Sequence, residues 1–174
     1  LSSSLLADAL AVAAQALLGQ LVAAGELREA HSTLRRVAAY GLGMGLLLAL
    51  ALQAGSGLLP RAFTEDEAVL RVLASLLPWA VATQPVSALA FVGDGVLYGC
   101  DDFEFATWTM LAAGGAALGT MAAAGAAPLG ADGEVQAVWL GLALFMATRV
   151  GMLAWRYFDP SGPLAPLRRA ARGE

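Results

Sequence analysis

The sequence predicts an all-α chain, a polytopic membrane helical bundle with about five transmembrane helices. Residues 37–60, 72–93 and 105–131 hold no charged side chain, and 135–155 holds only Arg149. A hydrocarbon core about 30 Å thick takes roughly 20 helical residues at about 1.5 Å each, so every one of these stretches is long enough to cross it. Helices of soluble domains rarely stay apolar all round for that length. The composition agrees: 59% of the 174 residues are hydrophobic and 14% charged, against about 25% charged in soluble chains. Mean hydropathy is +0.68.

The first helix spans 1–24, with Ser4, Asp8 and Gln15 as its polar residues. The second spans about 32–57, where Gly41 and Gly45 form a small-xxx-small pair that lets another helix approach closely. The third spans about 66–99 and carries Pro78 and Pro85, which kink a membrane helix and free backbone carbonyls. In the run TEDE at 64–67, Thr64 fits the first position of a capping box. The fourth helix spans about 102–127, with Gly115 and Gly119 at the same close-packing spacing, and the fifth about 133–157. Tight turns are expected at 99–102 and 128–132, and His31 falls in the loop 25–31. Residues 1–157 thus form one transmembrane bundle. Pro160, Gly162, Pro163 and Pro166 end helical order and leave 158–174 as a disordered basic tail. Leu1 is not Met and no basic stretch precedes the first apolar run; a secretory signal peptide is not expected, and the chain reads as a fragment lacking its earlier part.

Arginine placement sets an orientation, because basic loops stay cytoplasmic. Arg28, Arg35 and Arg36 lie on the side of the first loop, as do Arg156, Arg168, Arg169 and Arg172, while Arg61 and Arg71 lie opposite. The first loop and the C-terminus are expected on the cytoplasmic or stromal side. The acidic turn Asp101, Asp102 and Glu104 falls there too, with Asp102 as a helix N-cap. Trp79, Trp108, Trp139 and Trp155 fall mostly near helix ends, as interfacial anchors do.

Few polar groups remain for chemistry. A carboxylate in hydrocarbon costs several kcal/mol, so Asp94, inside the third helix, must face protein, water or a cation. Gln84, Ser87, Phe91, Asp94 and Tyr98 fall on one helical stripe, a strip for a central cavity. Asp94 has two readings: a site for a proton, Na⁺ or a cationic substrate, or a structural carboxylate that is hydrated near the interface or caps a neighbouring helix end. Asp8, with Ser4 and Gln15 on its face, is the second candidate, against a structural hydrogen bond to a neighbouring helix. Arg149, about 10 Å inside the fifth helix, is expected to snorkel to the interface. Lone Cys100 excludes an internal disulfide and reads as a small residue at a helix end. No nucleophile–base pair, metal cluster or phosphate loop is present in the sequence, so neither an enzyme nor a metal site is expected. Sparse arginines in embedded helices give no basis for nucleic-acid binding.

The run LADALAVAAQ at 6–15, followed by Ala30 and Arg35-Arg36, resembles the second helix and loop of a lobe in the multidrug and toxic compound extrusion (MATE) family. FTEDEAVL at 63–70 resembles the segment before that family's tenth helix. QPVSALAFVGDGV at 84–96 looks like its DinF-like branch, which includes plant and algal plastid or plasma-membrane members, and VWLGL at 138–142 resembles its last helix. The resemblance implies the C-terminal five of twelve helices in a two-lobe transporter, the N-terminal lobe supplied by the rest of the same protein. It implies export of small organic compounds by alternating access in exchange for H⁺ or Na⁺, with no other cofactor. Pro78 and Pro85 suit a hinge. Some members place an acidic residue near the position that Ser87 holds here. The alternative is a truncated, non-transporting membrane protein or helical subunit, whose Asp8 and Asp94 would need a covering partner.

Overall fold

The computed structural model describes residues 2–126 and 130–173. Among them are seven helices and no strand: α1 (Ser2–Ala23), α2 (Leu27–Ala54), α3 (Leu59–Phe63), α4 (Glu67–Gly99), α5 (Phe103–Gly125), α6 (Gly130–Phe158) and α7 (Ala165–Arg172). Four of these, α1, α2, α4 and α6, are long and apolar enough to cross a membrane. A fifth span was expected at α5. That helix is built largely of Ala, Gly and Thr and falls short on apolarity, but its packing lays it alongside α6. Phe105 meets Trp155 at one end, with ring centroids 5.7 Å apart, and Met121 meets Gly141 at the other.

Close approach without side chains organises the bundle around α4. The Gly41 and Gly45 pair does as its spacing indicates: a Cβ on Gly45 would stand 2.6 Å from the Pro85 Cα, and one on Gly41 would stand 2.8 Å from Val92 Cγ2. On the other face of α4, Gly95 abuts the Ala11 carbonyl, and Gly99 lies over the Gln15 carbonyl and Leu18 of α1. At the Gly115 and Gly119 pair no close crossing is found among the described residues: a Cβ at either would meet nothing within 4 Å. Instead, buried Ala113 and Ala117 line the inner side of α5. Leu46, Leu47 and Leu50 of α2, with Leu118 and Trp108 of α5, stay exposed.

Helix ends correct several expectations. α1 closes in a Schellman motif: Gly25 takes φ 75°, and the Glu26 N–H reaches the Leu21 carbonyl at 2.9 Å. The chain re-enters a helix at once, so α2 begins at Leu27 and His31 is helical, not in a loop. Its ring bonds the Tyr157 hydroxyl at 2.9 Å. Asp66, not Thr64, caps α4, accepting from the Ala68 N–H at 2.8 Å; Thr64 accepts from the Asp66 N–H instead. α4 ends in a second Schellman motif, with Asp101 at φ 56° where glycine is usual. Asp102 stands at the start of α5 without capping it. Its two carboxylate oxygens bind Arg156 at 2.7 and 3.0 Å. That ion pair accounts for an acidic turn on the arginine-rich side. The turn expected at 128–132 lies partly outside the described residues, and α6 starts at Gly130, ahead of the expected 133.

The tail is helical, not disordered. Pro166 sits in the first turn of α7, where a missing N–H is harmless, and Leu164 and Leu167 are fully buried in a cluster with Ala30 and Val37. The turn before α7 is closed by Asp159. Its carboxylate accepts from the Ser161 hydroxyl and backbone N–H, and with Arg156 these hold it below the usual carboxylate range. Cys100, just beyond the end of α4, is buried. Burial first, then the Asp102 and Asp101 carboxylates, push its thiol up to about 11. We expect N-ethylmaleimide at pH 8 to label it at least a hundred-fold more slowly in the folded protein than in denaturant. Comparable labelling rates would show this end of α4 to be open.

Candidate functional site

Pro85 has no N–H to give back to the helix, and α2 crosses α4 there through Gly45. Just beyond it, Ser87 and Phe91 project on the stripe that the helical period gives them. With Gln84 they line a cavity of about 230 Å³. Ala7 of α1, Leu48 of α2 and Met146 of α6 complete the wall. The Gln84 amide donates to the Ala80 carbonyl at 3.2 Å, which holds it along α4.

Beside this cavity Asp94 meets Arg149. Arg149 does not snorkel to the interface. Its Nη2 donates to Asp94 Oδ2 in an ion pair between α4 and α6. The Arg149 side chain is 4% exposed and that of Asp94 16%. Its guanidinium also lies 5.2 Å from the Phe91 ring centroid and 5.4 Å from that of Phe145, cation–π contacts that strengthen where water is excluded. Nη1 reaches Met146 Sδ at 3.2 Å, so Phe91 and Met146 touch both the cavity and the cation. Arg149 Nε is buried with no hydrogen-bond partner among the described residues. Such an unmet donor, in water-poor surroundings, is a place for a further acceptor.

The other candidates lie apart. Tyr98 stacks on Phe103, centroids 5.6 Å apart, at the end of α4 and off the cavity. Asp8 and Gln15 are exposed on α1, on the flank of the stripe Ala7, Ala14 and Leu18 that packs inward. The Ser4 side chain lies outside the described residues. Asp8 and Asp94 share no cavity wall among the described residues. Pro78 and Pro85 both stand inside an unbroken α4.

The MatE family model matches residues 3–122, well over half of the chain. The chain belongs to the MatE family. The match takes in Asp94 and the α4 wall of the cavity and stops short of Arg149. Among relatives, Protein DETOXIFICATION 42 of Arabidopsis thaliana is 37% identical over 168 residues, 97% of this chain and 32% of that protein. Protein DETOXIFICATION 44, chloroplastic, from the same plant, is 40% identical over 163 residues, 94% of this chain and 30% of that protein. Protein DETOXIFICATION 45, chloroplastic, is 35% identical over 160 residues, 90% of this chain and 28% of that protein. The chain thus spans about a third of the length of the MatE-family relatives that it matches. No solved structure matches it.

Proposed function

We propose that this chain is the C-terminal part of a secondary exporter that moves small organic compounds across a membrane in exchange for H⁺ or Na⁺ by alternating access. The observation that carries the reading is the buried Asp94–Arg149 pair beside the Gln84, Ser87 and Phe91 cavity, inside a family-matched bundle a third the length of its relatives. A cavity of about 230 Å³ is smaller than the roughly 300–1,000 Å³ of most ligand sites, as one wall of a site shared with a second lobe would be.

The pair suggests how coupling works. Asp94 Oδ2 is held by Arg149, so an incoming cation at Asp94 competes with the guanidinium for the carboxylate. Two states follow, Arg149-bound and cation-bound, and a cation that prefers one shifts the bundle toward it. Release of Arg149 into the cavity changes the charge that an organic substrate meets. Pro85, where α2 crosses, is the hinge candidate. The exposed Asp8 and Gln15 face belongs against the other lobe. We read the intact protein as residing in a plasma or plastid membrane; that two relatives are named chloroplastic supports the latter. Its C-terminus is placed on the cytoplasmic or stromal face, where most arginines lie.

The test is flux through the intact protein in everted vesicles, with a fluorescent organic cation as cargo. Uptake should rise severalfold when an outward H⁺ or Na⁺ gradient is imposed, and collapse with an ionophore. Uptake that ignores both gradients would remove the exchange mechanism.

A further inference from the structure

The tail helix brings charge where the expectation was disorder. With Leu164 and Leu167 buried against α2, α7 places Arg168 and Arg172 across from Arg28 and Arg35 of α2's early turns. These four arginines, with His31 and Tyr157, line a cavity of about 430 Å³ whose lining holds no carboxylate. None of the four has an ion-pair partner among the described residues. Arg168 Nη2 donates to the Phe158 and Asp159 carbonyls at 3.2 and 3.1 Å, and its Nε is buried with no partner among the described residues. Four guanidinium groups around one hollow repel one another until an anion enters. Their planar donor forks suit the oxygens of a phosphate.

A second cavity of about 350 Å³ adjoins the first, with Arg35, Tyr157 and Phe158 in both linings. It runs between α2, α4 and α6, and Leu34, Leu89, Val96 and Leu153 make it apolar. A cationic hollow at the bundle end, continuous with an apolar groove between spanning helices, matches an anionic head joined to an acyl chain. We propose that this end of the bundle binds a phospholipid with an anionic headgroup, its phosphate among Arg28, Arg35, Arg168 and Arg172 and one chain in the α2–α4–α6 groove. Free phosphate would fill only the first cavity. Basic pockets between membrane helices at the headgroup level take lipid heads on the same physical grounds.

The experiment uses the intact protein in phosphatidylcholine nanodiscs and native mass spectrometry, with phosphatidylglycerol, inorganic phosphate and glycerol phosphate as probes. Arg35 and Arg172 are exposed, so Arg35→Gln and Arg172→Gln should leave the melting temperature in phosphatidylcholine unchanged. Each should weaken phosphatidylglycerol binding about fivefold and the pair roughly 25-fold. Arg61→Gln, from the opposite end of the bundle, should change nothing. Glycerol phosphate should bind at least tenfold more weakly than the lipid. Equal affinity for glycerol phosphate or inorganic phosphate would overturn the lipid in favour of a soluble phosphate. Phosphatidylglycerol binding that is absent, or that is unchanged in the double variant, would overturn the site.

Discussion

Asp94→Ala is expected to destabilise the intact protein by about 3–5 kcal/mol, and Arg149→Ala by distinctly less. Removing one partner of a buried ion pair leaves the other as an uncompensated charge, which is what makes such variants costly. The asymmetry comes from what each survivor can do. A stranded carboxylate can take up a proton and become neutral. A stranded guanidinium stays charged, and Arg149 is the more deeply buried partner, at 4% exposure. Asp94→Asn combined with Arg149→Met replaces the pair with neutral groups of similar volume and should recover most of the loss. Melting in detergent, followed by tryptophan fluorescence, reads all four proteins. A double variant less stable than Asp94→Ala would show that the pair is not what these helices share.

Gly95→Leu should be as damaging for a different reason. Gly95 lies against the Ala11 carbonyl, closer than any side-chain carbon tolerates, so α1 and α4 must separate to admit one. Overpacking costs about 1–3 kcal/mol where side chains yield, and here the obstacle is backbone, so the upper end or more is expected. The contrast is Gly114→Ala in α5, where a Cβ would meet nothing within 4 Å among the described residues. That change should be neutral or stabilising by up to about 1 kcal/mol, because alanine is the better helix former. Size-exclusion profiles in detergent distinguish them: an aggregated Gly95→Leu beside a monodisperse Gly114→Ala. A monodisperse Gly95→Leu with wild-type melting would contradict the close α1–α4 crossing.

The helices of this bundle are legible in the sequence because each charge-free stretch is long and ends in turn chemistry. Depth is legible as well. Asp94 and Arg149 each sit a few residues inside the same end of the bundle, although nothing in the sequence pairs them. Rotation is not legible. In a membrane, lipid-facing and protein-facing sides are both apolar, so periodicity does not say which face of α6 turns to α4. Arg149 therefore read as a snorkelling residue until the fold brought Asp94 beside it. The same blindness hid the Gly95 and Gly99 contact with α1, and among the described residues no helix packs against Gly115 and Gly119. The tail failed for another reason. Its prolines look like breakers in the sequence, although Pro166 falls in a first turn and Leu164 and Leu167 lie one helical turn apart, as in a short docked helix.

One measurement bears most directly on the proposed exchange at Asp94. It is gradient-driven uptake into everted vesicles carrying the Asp94→Asn and Arg149→Met double variant, which is expected to keep the bundle folded while removing the carboxylate. Coupled flux should fall at least tenfold at wild-type protein levels. Flux at the wild-type rate, with its dependence on H⁺ or Na⁺ intact, would take Asp94 out of the transport cycle.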